Sequence, residues 1–357
     1  MTKPLSLTVV GAGGLLIGEA LRLVEMHPML ELRRAVTRAP GTALLELQPH
    51  LACGRDLKTI DLHAATCALR EELASDAAQA VLLLGLPHAE TAKCWRAMRE
   101  ELGASADRLV VVDLSADYRL RNLEDYTRWY GEHADPGELP NFRYGLPELN
   151  GEDLPGATRI AAPGCFATAL QLACQPAAAA GILNAEQIWT LNATTGSSGS
   201  GVKPREGTHH PFRASNLHAY GLGGHRHEAE LVQAIGLSPP LSFLPHSGPF
   251  VRGIHLTAVL PLASEIDLEA IQGIYADTYA GQPFVELLPL GEVPDLRRVV
   301  GSNRACMALH AKPGALVVLL TLDNILKGGS GQALQALNIA LGWPQDLSLP
   351  RAGLGVA

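Results

Sequence analysis

The 357-residue sequence predicts an α/β chain of two domains, a doubly wound parallel sheet followed by an α+β domain. Three observations carry this. Short continuous apolar runs alternate with helical spacing through the first part of the chain. A glycine-rich turn joins the first run to the first helix. Past Pro163 the texture changes to alternating strands separated by Gly/Ser-rich and His-rich stretches.

The elements follow in order. Leu5–Val10 (LSLTVV) is an apolar, β-branched run that stops at Gly11, as a buried parallel strand would. Residues 15–26 place Leu16, Ala20, Leu23 and Val24 on one helical face. Leu30–Val36 reads as the next strand, 81–84 and 109–112 as two short buried strands, and 90–102 as a helix between them. A helix is expected after Cys165, then strands at Ile254–Pro261 and Ala315–Leu322 and an amphipathic helix after Gly329. The expected domains are 1–162 with 329–357, returning to the first sheet, and 163–328 as the α+β catalytic and oligomerisation domain. TTGSSGSG is too short for a linker and reads as an active-site loop.

Composition narrows the function. Apolar residues make up 47% and charged residues 18%, with a net charge of −8, as in a soluble enzyme. The chain has no basic block, which excludes nucleic acid as a partner, and no apolar run of membrane-spanning length. The N-terminus lacks the pattern of a signal peptide, and six scattered cysteines without a Cys-x-x-Cys pair argue for reduced thiols, hence a cytoplasmic setting.

The turn VVGAGGLLIGEAL sets Gly11, Gly13, Gly14 and Gly18 between strand and helix. Glycines there permit a tight turn and close approach to a pyrophosphate, which the helix N-terminus attracts. This is a Rossmann dinucleotide turn. The second strand ends in Thr37-Arg38 with no acidic residue to hold ribose hydroxyls; an arginine suits a 2′-phosphate and favours NADP. Cys165 follows Pro163-Gly164 and opens an apolar helix, where the dipole stabilises thiolate, the reactive form. Cys53, Cys67, Cys94, Cys174 and Cys306 read as buried packing residues. A nucleophilic thiol needs an acid–base partner, and His225 and His227, read as a His-x-His pair on a strand, offer one. A metal site built from His209, His210, His225 and His227 is the rival; it lacks a carboxylate or thiol at ligand spacing, and no metal is expected there. His88, in GLPHAE, follows a buried strand at the carboxyl edge of the sheet, where ligands bind.

These segments together, with VVDLSADYRL, WYGEH, YGLPELN, APGCFATA, TTGSSGSGVK, HAYGLGGHRH, VRGI and DNILKGGSGQALQ, resemble the N-acetyl-γ-glutamyl-phosphate reductases of arginine biosynthesis, within the aspartate-semialdehyde dehydrogenase-like group. The resemblance spans nearly the whole chain. It implies that Cys165 is the nucleophile and that His225 or His227 is the acid–base group. It implies that Gly11, Gly13, Gly14, Leu15, Thr37, Arg38, Pro87, Ser115 and Asn324 hold NADP, with His88, Arg119, Lys203 and Arg252 toward the substrate. A homodimer or homotetramer is implied as well.

Three positions depart from the family's usual pattern. Ile17 stands where a further glycine is common, Phe166-Ala167 where Tyr-Pro is, and Glu228-Ala229-Glu230 where Thr-Pro-Glu is. THHPFRA and ALQALNIALGWP resemble a branch that reduces aminoadipyl phosphate on a small acidic carrier protein in lysine biosynthesis. The chemistry expected is thus reduction of an acyl phosphate through a thioester; free acetylglutamyl and carrier-linked aminoadipyl groups are both open.

Overall fold

The computed structural model describes residues 3–75 and 78–355. The chain divides into two compact units, Met1–Pro163 with Gly329–Leu349, and Gly164–Gly328 with Pro350–Ala357.

The first unit runs β1 (Leu5–Val10), α1 (Leu15–Val24), β2 (Leu30–Val36), α2 (Leu44–Leu47), α3 (Leu62–Glu72), β3 (Ala80–Leu84), α4 (Thr91–Leu102), β4 (Leu109–Asp113), α5 (Leu123–Tyr130), β5 (Arg143–Tyr144), α6 (Pro147–Asn150) and β6 (Arg159–Ala161). Its strands form one sheet in the order β2-β1-β3-β4-β6-β5, every pair parallel. A strand covered on both faces needs apolar side chains at every position, and AVLLL in β3 and LVVV in β4 are buried throughout. The order reverses between β1 and β3, which opens a crevice at their carboxyl ends.

The second unit contains α7 (Cys165–Ala179), β7 (Trp189–Thr195), α8 (His210–Arg213), β8 (His218–Ala219), α9 (His227–Ile235), β9 (Leu241–Ser247), β10 (Ile254–Pro261), α10 (Leu268–Thr278), β11 (Val285–Leu287), β12 (Ala305–Lys312) and β13 (Ala315–Leu322). They build a mixed sheet in the order β11-β12-β13-β10-β7-β9-β8. β10 alternates, burying Ile254, Leu256, Ala258 and Leu260, and α7 packs against β10 and β13. Pro176 lies inside α7 and has no N–H for the carbonyl four residues back. The Tyr279 hydroxyl supplies that donor to Leu172 O at 2.6 Å, and the Tyr275 hydroxyl donates to Ala173 O at 2.6 Å. The helix carrying Cys165 is therefore satisfied at its one internal break.

A single π-turn (Leu326–Ser330) leads into α11 (Gly331–Ala340), which returns to the first unit against α1, α6 and β6. The expected amphipathic helix is instead buried almost all round. Its polar residues have inward partners: Gln332 donates to Gly145 O (3.0 Å), Gln335 to Glu148 (2.9 Å), and Asn338 Oδ1 meets the His27 ring (3.0 Å). The chain end also departs from the expected partition. Asn303 N–H donates to Pro350 O (2.8 Å) and Leu354 N–H to Val300 O (2.8 Å), so the segment from Pro350 groups with the second unit. Among the described residues no helix is long and apolar enough to cross a membrane.

Candidate active site

In the first unit, Gly11 turns the chain after β1 with φ +88°. A Cβ there would lie 2.5 Å from Gly85 O, just past β3, so only glycine lets the two strand ends close together. Gln48 is buried and donates its side-chain amide to Ala12 O (2.7 Å) and Gly14 O (3.1 Å), bracing the loop. Gly13 is exposed, and Gly14 opens α1 without a side-chain cap. The first-turn amides and the positive end of the helix dipole are thus presented as an anion site at the sheet's reversal point. Leu15 is the first helical residue and 40% exposed. Thr37 closes the end of β2 by donating to Ala39 O (2.9 Å), and Arg38 is exposed and ion-paired with Glu90. Loop, uncapped helix and exposed cation fit a dinucleotide.

The segments after β3 and β4 are tied together. Pro87 is exposed, whereas His88 Nδ1 accepts the Ala116 N–H (2.9 Å). Ser115 is 1% exposed and its hydroxyl donates to Asp113 (2.9 Å). Burial, then the neighbouring Asp117, push the Asp113 carboxyl up to about 7. Asp117 accepts the Ala89 and Ala92 N–H groups (2.7 and 2.8 Å), capping the start of α4. Arg119 is 6% exposed and donates to Ala162 O (2.7 Å) and Leu114 O (3.1 Å). These two bonds hold the guanidinium at the carboxyl ends of β4 and β6.

In the second unit, Cys165 is the first residue of α7, half-buried, and Gly164 before it leaves the helix without a side-chain cap. The expected pair of histidines on a strand is corrected: His225 lies in a turn and His227 is the first residue of α9. The Gly-rich segment before them breaks the strand before it can begin. The His227 ring rests on the Pro-Gly turn, since a Cβ at Gly164 would meet His227 Nε2 at 2.3 Å. Glu230, one turn along α9, accepts the Gly164 N–H (3.1 Å) and lies 3.9 Å from His227 Nε2. His225 Nδ1 accepts the His227 N–H (3.2 Å), which places the proton of the neutral ring on Nε2. The two rings are 4.7 Å apart, and Phe166 and Phe243 stand edge-on to His225. Burial, then Arg226, bring the His225 pKa down to about 4. Burial, then the neighbouring Cys165, hold the Tyr220 phenol above its usual range.

A second group closes on the same helix end. A Cβ at Gly328 would lie 2.8 Å from Cys165 Cβ, so the π-turn seats its backbone directly against the thiol-bearing residue. Upstream of that turn, Asn324 accepts the Gly253 N–H (2.7 Å) and donates to Ser198 Oγ (2.9 Å). Ser198 Oγ donates in turn to Val251 O (2.6 Å), pinning the Gly/Ser loop. Arg252 donates to Asp323 (3.0 Å) and is partly buried. Lys203 is exposed beyond the loop, as are His209 and His210.

Cys165, His225, His227, Asn324 and Arg252 all lie in the second unit: the two histidines pack at the start of α7, while Asn324 and Arg252 are tied to one another's neighbours just before the π-turn. Among the described residues His209, His210, His225 and His227 form no metal-ligating group. Sequence reading passed over Glu230, Tyr220 and Gln48; the acidic residue three positions after His227 was the available signal for the first. It also read all five remaining cysteines as buried, yet Cys53 is exposed and Cys67 partly so, while Cys94, Cys174 and Cys306 are buried. Cys53 lies in a loop and Cys67 on the outer side of α3, where no core covers them.

Residues 6–157 match the family model of the semialdehyde dehydrogenase NAD-binding domain, and residues 165–324 that of the semialdehyde dehydrogenase dimerisation domain. Fold and matches define the class as a two-domain, NAD(P)-binding semialdehyde dehydrogenase type. A Saccharopolyspora erythraea protein named N-acetyl-gamma-glutamyl-phosphate reductase is 38% identical over 97% of this chain and 98% of its own length. An Azotobacter vinelandii protein of that name is 35% identical over 98% and 99%. The chain belongs to the N-acetyl-gamma-glutamyl-phosphate reductase family. The fold is shared with aspartate semialdehyde dehydrogenase II of Vibrio cholerae (TM-score 0.66, 16% identity, 95% and 98% covered). It is shared equally with the NADP-bound aspartate semialdehyde dehydrogenase of Candida albicans (TM-score 0.66, 14% identity, 94% and 98% covered).

Proposed function

We propose that the protein reduces N-acetyl-γ-glutamyl phosphate to N-acetylglutamate 5-semialdehyde with NADPH, releasing phosphate, through a thioester on Cys165. The observation that carries this is the thiol at the uncapped start of α7, with His227 packed on its Pro-Gly turn and His225 against His227 and Phe166. The dipole of α7 favours thiolate. The Cys165 sulfur attacks the acyl carbon; the C–S bond forms and the C–O bond to phosphate breaks. Backbone N–H groups of the first turn of α7 and the Nε2–H of His225 face the oxyanion. Each oxyanion collapses by expelling a leaving group, phosphate first and thiolate last. A neutral donor that keeps its proton therefore suffices, and a His225 pKa of about 4 suits that task. His227 and Glu230 hold the turn. When bound, the reduced nicotinamide supplies the hydride that converts the thioester carbon to the aldehyde level. Gly11, Gly13, Gly14 and Leu15 would cradle its pyrophosphate, and Arg38, released from Glu90, the 2′-phosphate. Pro87, Ser115 and Asn324 belong to that reading as backbone or positioning groups. Arg252 and Lys203 are the cations proposed for the substrate, with His88 as a loop tie. A homodimer or homotetramer through the second unit, and a cytoplasmic location, accompany this reading.

The names of the curated relatives support the acetylglutamyl substrate over the carrier-linked aminoadipyl group. The reverse reaction tests the proposal, comparing N-acetylglutamate semialdehyde with carrier-linked aminoadipate semialdehyde, each with phosphate and either NADP or NAD. Reduction of NADP with the acetylglutamyl substrate is expected, and abolition by Cys165→Ser with NADPH affinity held within about tenfold. Retained turnover in the serine variant overturns the mechanism; preference for the carrier-linked substrate overturns the substrate.

A further inference from the structure

The first unit carries a side-chain cluster that the reaction does not use. His63 and Cys67 sit one turn apart on α3 and share a face. Glu101 reaches them from the last turn of α4, which packs against α3. His63 Nε2 lies 3.7 Å from Cys67 Sγ, Glu101 Oε1 lies 3.5 Å from the same sulfur, and His63 Nδ1 lies 3.2 Å from Glu101 Oε1. One ligand atom from each residue falls within 4.8 Å of the others.

From these distances we infer that His63, Cys67 and Glu101 form a surface site for one thiophilic divalent cation of the zinc kind. Bond lengths of about 2.0–2.3 Å at a tetrahedral centre require ligand atoms about 3.4–3.6 Å apart. The sulfur-to-carboxylate edge is 3.5 Å; one ring nitrogen closes a second edge, Nε2 at 3.7 Å from the sulfur or Nδ1 at 3.2 Å from the carboxylate, and a small turn of the exposed imidazole brings the third ligand atom in from within 4.8 Å. The ligand set is a soft sulfur, an imidazole nitrogen and a carboxylate oxygen, which suits zinc and excludes magnesium or calcium. The unliganded cluster also places a carboxylate against a thiol. A dication would relieve that opposition by taking the thiolate. The other charges facing the thiol are Arg70, whose guanidinium lies 3.7 Å from Sγ, and Glu71. Arg70 is a solvent-facing side chain that yields its place at small cost. Three protein ligands leave the fourth position to water or an added group, and the metal would staple α3 to α4.

Cobalt(II) is the probe, titrated into the full chain carrying Cys165→Ser so that the active-site thiol does not compete. One Co²⁺ per chain is expected, with a thiolate-to-metal band in the near ultraviolet. Adding Cys67→Ser removes the band, and His63→Ala or Glu101→Gln weakens binding about tenfold or more. Zn²⁺ should raise the melting temperature of the Cys165→Ser protein but not of the Cys67→Ser double variant. Cys67 is partly exposed, so its loss leaves the fold in place, and Glu101→Gln gives an independent reading. Absence of the band, equal binding in the Cys67→Ser double variant, or indifference to both His63→Ala and Glu101→Gln overturns the inference.

Discussion

Gly164 is the residue on which the thiol's surroundings turn. Its missing Cβ is the space that His227 occupies, and its N–H is the group that Glu230 accepts. Gly164→Ala should displace the imidazole and lower kcat by about 10²-fold with little change in NADPH affinity. Steady-state kinetics beside NADPH fluorescence titration would check this. His225 makes a second prediction. Its folded pKa of about 4 lies below the ordinary 6.5 because of burial and Arg226. Between those values the unfolded chain binds a proton that the folded chain does not. Its share of stability is therefore full above pH 6.5 and declines as the pH falls toward 4. His27 and His255, lowered by burial, act in the same direction. Urea midpoints at pH 7 and pH 5 should differ less in His225→Asn than in the parent, and an equal difference would refute the assignment. The activity limb due to His225 should likewise fall near pH 4, away from the 6.5 of a free imidazole.

At the level of elements, the nucleotide turn depends on a side chain from outside it. Gln48 holds two loop carbonyls, Ala12 O and Gly14 O. Gln48→Ala leaves them without that donor, and NADPH affinity should drop by about tenfold, measured as Kd, while turnover at saturating NADPH persists. The turn itself was readable from VVGAGG, because local glycine spacing and the flanking strand and helix are sequence-local properties. So were β3 and β4, whose burial on both faces forces unbroken apolar runs, and α7 with its thiol at the first position. What escaped reading depends on contacts far apart in the chain. Gln48 meets a loop more than thirty positions away, and Asn324 meets Ser198 across 126 positions. Glu230 gains its meaning only once α9 is docked on the Pro-Gly turn. The burial of Arg119 and its bonds to Ala162 O and Leu114 O likewise left no trace in the local motif. α11 was misread because its Gln and Asn residues imply a wet face, yet each finds an inward partner.

For the whole molecule, the two units exchange their ends. The chain closes the first unit with α11 and then sends Pro350 onward to the second, where Asn303 and Val300 take it up. Truncation after Leu349 should accelerate hydrogen exchange at residues 299–303 while leaving the exchange of β1–β4 unchanged; uniform acceleration would mean that the tail stabilises more than its own neighbourhood. The late return of α11 also sets an order of events during translation. β6 and α6 leave the ribosome long before Gly331, with Gly164–Gly328 of the second unit made in between. At about 5–20 residues per second, that interval is on the order of 10–30 s. Throughout it, Gly145 O, Glu148 and His27 await their partners in α11, and the nascent sheet has one uncovered side. Chaperone engagement of ribosome-bound chains should therefore concentrate on this first-made half, whose all-parallel sheet depends on non-local pairing.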